Sequence, residues 1–133
     1  MGLLDIIYQT FRDYNEAIEN EDLQKELAQK AFKQTFKLFY YDWVTLRDSG
    51  IDVPKFTGNI ERMLRQYSST MLQVLTELDD SLSTPQKEQL LEFITEFRKI
   101  SNLIEVMYSL NIVAKLNELA EKAKEIFNQS SSI

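Results

Sequence analysis

Glycine and proline are so scarce in this sequence that the chain has few places where a helix must stop. The 133 residues include 3 glycines and 2 prolines, and these two residue types are the strongest local interrupters of regular structure. Between the interruptions, apolar residues recur at alternating spacings of three and four, which is the period of one face of an α-helix. We therefore predict an all-α fold, an up-and-down bundle of four or five helices that forms one domain over residues 1 to 133.

The first helix boundaries are indicated by capping residues and by one irregular segment. Asn20, followed by two acidic residues, is typical of an N-cap, so we expect a second helix from there to about Asp48, with Gly50 as its C-cap. The pattern also allows the first and second helices to be continuous. Residues 51 to 58 contain a proline and a glycine and show no helical period, which predicts an ordered loop.

The second half of the chain has one strong start signal and one expected break. Ser83, with a proline two residues later, is the pattern of a hydroxyl N-cap at the start of a helix. The apolar pattern then continues nearly to the end of the chain, which is too long for one helix of an ordinary domain. A break is expected because short polar side chains compete for backbone hydrogen bonds. The candidate break sites are Ser109 with Asn111 and, as the alternative, Ser101 with Asn102. Residues 128 to 133 are expected to fray.

The balance of charge restricts the classes of partner. The chain carries 15 basic and 21 acidic residues, a formal net charge of −6. A field of this sign repels phosphate backbones and anionic lipids, so we expect no nucleic acid and no membrane as partner. The first residues lack the basic region and the unbroken apolar run of a secretory signal, because Asp5 interrupts the apolar stretch. We therefore expect a cytoplasmic protein.

Histidine and cysteine are both absent from the sequence. Their absence removes thiolate nucleophiles, disulfides, the commonest general base and the usual ligands of transition metals. Carboxylates are the catalytic groups that remain, and Asp42 and Glu105 stand in apolar surroundings, where burial can create an acid or a base. We expect both to face solvent or to pair with a nearby cation. We also expect no enzyme activity, no catalytic residue, no metal site and no cofactor.

The second predicted helix carries more aromatic side chains than one helix face can hold. Its expected core stripe consists of Phe32, Phe36, Phe39, Trp43 and Leu46. Its further apolar residues are Leu38, Tyr40, Tyr41 and Val44. A helix that is apolar on most of its circumference is either central in a bundle or covered by a second chain. Because tyrosine is favoured at protein interfaces, Tyr40, Tyr41 and Val44 are candidate partner-binding residues.

Two other groups of residues are candidates for partner binding. Lys30, Lys33 and Lys37 line one face of the same helix, where they would meet an acidic partner, a phosphate or the acidic first helix. A solvated lysine face is the simpler interpretation. Met107 and Tyr108 lie in a stretch of low charge, which is either the buried end of the bundle or a docking surface with an adaptable methionine.

These observations favour a non-enzymatic protein-protein interaction module, such as an adaptor, an inhibitor or an assembly subunit. Its partner would be another protein or a second copy of the chain. A homo-oligomeric structural protein, for example a homodimer, is the first alternative. A small-ligand carrier or a carboxylate-only enzyme with a pocket in the bundle is the second. The hypothesis comes from exclusion and from the surplus aromatic residues of the second predicted helix.

Overall fold

Residues 4 to 49, 53 to 104 and 109 to 129 are described by a computed structural model of the chain, and within these ranges there are five α-helices and no strand. The helices are α1 (Asp5–Glu16), α2 (Glu21–Arg47), α3 (Val53–Glu77), α4 (Thr84–Leu103) and α5 (Ser109–Asn128), with a short 3-10 turn (Asp79–Ser81) between α3 and α4. The predicted all-α fold is confirmed. No helix in these ranges combines the length and the apolar character needed to cross a membrane.

Contacts between side chains show that successive helices run in opposite directions. Trp43, near the end of α2, packs against Phe56 at the start of α3. Gln29, near the start of α2, contacts the backbone of Ser81 after the end of α3. Hydrogen bonds between α1 and α2 show that these two helices are antiparallel. A hydrogen bond and a ring contact show the same for α5 and α2. Two ring contacts show that α4 is parallel to α2. This is the predicted up-and-down order.

Capping residues start α2 and α4 where the sequence pattern places them. The Asn20 side-chain oxygen accepts a hydrogen bond from the Leu23 backbone N–H at 3.1 Å, and α1 ends before this point, so the two helices are separate. Ser83 accepts a hydrogen bond from the Gln86 N–H, and the Gln86 side chain accepts one from the Ser83 N–H. This capping box starts α4. Both starts are predictable because a cap joins residues that are close in sequence.

The loop predicted over residues 51 to 58 is wrong from residue 53 onward. α3 begins at Val53, and Pro54 lies in its first turn, where a missing N–H costs no helical hydrogen bond. Gly58 lies inside the helix, and apart from its own stretch of the helix nothing lies within 4 Å of a Cβ added there, so no turn or close approach requires a glycine at this position. The helix therefore tolerates both residues that suggested a loop.

The break between the last two helices falls between the two predicted sites. α4 continues through Leu103, so Ser101 and Asn102 are helical, and α5 begins at Ser109. Residues 105 to 108 lie outside the described residues. Of the end predicted to fray, residues 128 to 133, Asn128 is still helical as the last residue of α5, because the helical hydrogen bonds continue to that point. Residues 130 to 133 and Gly50, the expected C-cap of α2, also lie outside the described residues. The C-cap that the structure shows for α2 is Asp48.

α2 is the central helix, because it packs against α1, α3 and α5. Its aromatic rings also meet those of α4 in the core, with centroids 4.8 Å apart for Phe36–Phe93 and for Phe39–Phe97. The predicted core stripe of α2 is buried at Phe32, Phe36, Phe39 and Trp43 and half-buried at Leu46. A central position thus accounts for most of the apolar circumference of this helix.

Candidate functional site

A shallow groove of about 400 Å³ follows the outer face of α2 and ends against the last turn of α5. This outer groove is lined by Lys30, Lys33, Gln34, Lys37 and Tyr41 of α2 and by Phe127 and Asn128 of α5. It brings together Tyr41 and the three lysines that the sequence singles out as partner-binding candidates. The lysine face is therefore the floor of a concave surface that also has an aromatic end.

The helical period lets α2 serve the core and the groove at once. Its buried aromatic residues and its groove residues recur at spacings of three and four on different faces of the same helix. Phe36, for example, is fully buried, whereas Lys37 beside it is exposed. Core packing thus holds the groove residues on a rigid helix, which is the arrangement that keeps a binding surface ordered.

The α5 wall of the groove is positioned by contacts with α2. Asn117 accepts a hydrogen bond from the Trp43 Nε1–H at 2.9 Å. Further along α5, the ring centroid of Phe127 lies 5.7 Å from that of Tyr40 and 6.3 Å from that of Tyr41. These contacts place an aromatic ring of α5 beside the lysines of α2. Nothing in the sequence pattern of α2 indicates that Phe127 would cover this part of its face.

Tyr40 and Tyr41 are neighbours in sequence but have different surroundings. Tyr40 is half-buried against Phe127, and the Lys124 ammonium lies 5.8 Å from its ring centroid, a cation–π distance. Tyr41 is 50% exposed and lines the groove. Val44 is half-buried and lies outside the groove. Of these predicted partner-binding residues, Tyr41 has the ring that a second molecule can reach.

The lysines make the groove basic in a chain whose net charge is −6. Lys30 and Lys37 are exposed, and neither forms an ion pair with another described residue. Lys33 is half-buried. The last turn of α5 lines the same groove, and the partial negative charge of a helix C-terminus favours cations near it. The positive charge that is not offset in this way attracts anionic groups of a partner.

Gln34 joins the groove to α1. Its side-chain oxygen lies 2.9 Å from the Thr10 hydroxyl, which also lies 3.1 Å from the Ile6 carbonyl oxygen. Thr10 is buried, whereas the Ile6 side chain is 49% exposed. One edge of the groove is therefore bordered by the first turns of α1. Gln34, like Asn128, is absent from the residues that sequence reasoning selects, because neither residue type carries a charge or an aromatic ring.

Met107 and Tyr108, the two remaining candidates for partner binding, lie outside the described residues. Glu105, one of the two candidate carboxylates, lies in the same segment. Their predicted roles therefore stay predictions.

Asp42 lies in a second groove, of about 290 Å³, between α2 and α3. Its carboxylate accepts a hydrogen bond from the hydroxyl of Tyr67, a fully buried residue. Burial and then this hydrogen bond raise the pKa of Tyr67, so its phenol stays neutral and remains a donor. The partner of Asp42 is thus a tyrosine hydroxyl and differs from the solvent or cation that the sequence suggests.

Neither groove has the ligands of a metal centre. Across the part of the chain that the structure describes, no three acidic side chains come together in a group that could hold a metal ion. Comparison of the chain with models of protein families, with curated proteins and with solved structures found no match.

Proposed function

We propose that the chain is a non-enzymatic protein-protein interaction module, an adaptor, an inhibitor or an assembly subunit, which docks its partner in the outer groove. The observation that carries the proposal is the position of Tyr41, a half-exposed aromatic ring beside the lysines and Phe127. A tyrosine in such a position can bury ring area against a partner and still use its hydroxyl in a hydrogen bond. The proposed setting is the cytoplasm, on the sequence pattern described above.

The aromatic residues and the lysines of the groove would contribute to binding in different ways. Tyrosine is enriched among the residues that contribute most to binding energy, which suits Tyr41 as an anchor with Phe127 next to it. Exposed lysines raise the rate of encounter with an anionic partner and disfavour a cationic one. The helices below the groove are held by the core, so little conformational entropy is lost when a partner binds.

Self-association is the main alternative, and the packing of α2 weakens the support for it. Leu38 and Tyr40 pack against the core and Val44 is half-buried. Of the surplus residues in the aromatic segment of α2, Tyr41 stays exposed, and Leu23 in the first turn of the helix is 40% exposed. An obligate homodimer commonly buries about 2,000 Å² or more and has a more apolar interface than other complexes, whereas the outer groove is lined largely by lysines and amides. A homo-oligomeric structural protein is thus the competing proposal, which a measurement of size tests directly.

A small-ligand carrier or a carboxylate-only enzyme draws less support. The Asp42 carboxylate already accepts the hydrogen bond of the buried Tyr67 hydroxyl. That hydrogen bond uses one carboxylate oxygen, and the described residues that line the groove beside Asp42 include no second carboxylate to act as its acid or base partner.

The proposal is tested by affinity capture from a lysate of the natural source, with the wild-type chain, Tyr41→Ser and Tyr8→Ser as baits. Tyr8 is 38% exposed on α1 and lies outside the groove, so its substitution controls for the general loss of a surface ring. Tyr40→Ser is unsuitable, because Tyr40 packs against Phe127 and its loss would alter the groove wall. We expect mass spectrometry to find a stoichiometric protein that Tyr8→Ser retains and Tyr41→Ser loses.

Sedimentation velocity over a wide dilution series completes the test. A mass that doubles at high concentration, and that stays monomeric in Tyr41→Ser, would replace the proposal with a homodimer. Absence of both a captured protein and self-association would refute protein binding by this face. Circular dichroism of each variant controls for folding, because a Tyr41→Ser chain that unfolds would show that the ring belongs to the core.

A further inference from the structure

We propose that the outer groove accepts an acidic amphipathic α-helix of the partner protein, lying along α2. This inference rests on the proposed function and deepens it. It concerns the secondary structure and the charge that the groove recognises, both of which the proposed function leaves open.

The groove residues of α2 form a straight row along the helix axis. Their sequence separations are four, three and four in the order Lys30, Gln34, Lys37 and Tyr41. Residues at these separations share one side of a helix. At about 1.5 Å per residue the row is about 16 Å long, which is about three turns of α-helix. A helical segment of that length presents side chains at the same spacing as the row.

The borders of the groove also suit a helix. Its floor is α2, one wall is the last turn of α5, and α1 borders it at Gln34 through Thr10. A channel between helices receives the side-chain ridges of another helix when the axes are about 8–10 Å apart. The described residues contain no strand, so an extended peptide would find no sheet edge in them to pair with.

Charge and polarity change along the groove in a definite order. The lysines occupy one part, with exposed ammonium groups at Lys30 and Lys37, and the rings of Tyr41 and Phe127 occupy the other. A complementary helix has carboxylates about seven residues apart, the separation of Lys30 and Lys37, and a leucine or an aromatic residue about one turn further along the same face, opposite Tyr41. The net charge of −6 disfavours such a helix on the rest of the surface.

The competing explanation is that the lysines stabilise the chain itself and do not take part in binding. The lysines share the groove with the last turn of α5, and the negative end of that helix dipole favours nearby cations. If that is their whole role, reversing the charge of Lys30 and Lys37 lowers the stability of the chain and changes no binding. The test therefore measures binding and thermal unfolding on the same variants.

The test selects binders from two display libraries in parallel, one of small helical scaffolds with randomised surface positions and one of unstructured linear peptides. The wild-type chain is the target, and Lys30→Glu/Lys37→Glu is used for counter-selection. The matched control is Arg98→Glu/Lys115→Glu, which makes the same change in net charge outside the groove. Both control residues are exposed and form no ion pair with another described residue.

We expect helical binders with Asp or Glu at positions about seven apart, which matches the separation of Lys30 and Lys37. The affinity of these binders should fall about tenfold or more for Lys30→Glu/Lys37→Glu, and much less for the control Arg98→Glu/Lys115→Glu. Groove-dependent binders that lack acidic residues, or that come from the linear library alone, overturn the inference and leave the proposed function standing. If neither library yields a groove-dependent binder, the inference is refuted, whereas the proposed function is decided by the capture experiment with Tyr41→Ser. Reduced stability with unchanged binding in the groove variant assigns the lysines to the α5 dipole and overturns the inference.

Discussion

The hydrogen bond between Trp43 and Asn117 fastens α5 to α2, and its contribution can be worked out from the structure. The Trp43 Nε1–H donates to Asn117 Oδ1 at 2.9 Å, and the tryptophan is 0% exposed. In Asn117→Ala the indole N–H loses its acceptor, and a fully buried group has no bulk solvent to replace it. An unsatisfied buried donor costs about 1–3 kcal/mol, so we expect the free energy of unfolding to fall by about 2 kcal/mol.

A double-mutant cycle with Trp43→Phe separates the hydrogen bond from the packing of Asn117. Phenylalanine keeps an aromatic ring in the core but has no N–H. In that background Asn117→Ala should therefore cost less than about 0.5 kcal/mol, and the coupling energy between the two positions should be about 1–2 kcal/mol. Far-UV circular dichroism in urea and during heating is the assay, and 1 kcal/mol corresponds to about 4 °C in Tm for a chain of this length.

An equal cost of Asn117→Ala in both backgrounds would refute the reasoning, because the loss would then not depend on the indole N–H. The Arg47 guanidinium also donates to Asn117, at 3.1 Å, but it is exposed and water can replace the bond. Arg47→Ala is therefore the control that should leave the coupling unchanged. The cycle also bears on function, since α5 supplies the Phe127 wall of the outer groove. Loosening α5 should weaken partner binding although every groove side chain is intact.

Three other positions test the core, a helix start and the buried tyrosine. Phe97→Ala should lower the free energy of unfolding in urea by about 3–5 kcal/mol, because Phe97 is fully buried against Phe39; a loss below about 1 kcal/mol would contradict its place in the core. Ser83→Ala should cost about 1 kcal/mol by removing the N-cap of α4, whereas Ser83→Asp, which keeps a capping oxygen, should cost much less in the same assay. The folded-state pKa of Tyr67 lies above its unfolded value of about 10, so the stability that its neutral phenol contributes is fully present below about pH 10 and is lost as the pH rises toward the folded-state pKa. Tyr67→Phe should therefore lose stability less steeply than the wild type above about pH 10, and equal slopes would show that Tyr67 does not control the alkaline limb.

The helical fold was predictable because the signals for it are local. Apolar period, the Asn20 cap and the Ser83 capping box each involve residues within about four positions of one another. The prediction was wrong at residues 51 to 58 for a related reason. Pro54 interrupts a helix only when a preceding turn needs its N–H, and residue-by-residue reading did not show that α3 begins one residue before it.

The candidate site was predictable in part. The lysine row and the surplus tyrosines could be recognised from their spacing on α2, and the structure places Tyr41 and the lysines in one groove. Sequence reasoning treated Tyr40 and Tyr41 alike, although one packs against Phe127 and the other stays 50% exposed. It also did not include Phe127 among the partner-binding residues, because a helix pattern shows which face is apolar and does not show which part of a neighbouring helix that face covers.

The sequence by itself therefore determined the class of fold, the starts of α2 and α4 and the basic row on α2. It also determined that carboxylates are the catalytic groups that remain without histidine and cysteine. Tertiary structure decided between a central and a partner-covered α2, and it alone showed that Asp42 pairs with Tyr67 and that the groove has an aromatic wall. The physical reason is distance along the chain. Helix period and capping act between near neighbours, whereas the groove depends on contact between α2 and the end of α5, which only the packing of the whole bundle brings about.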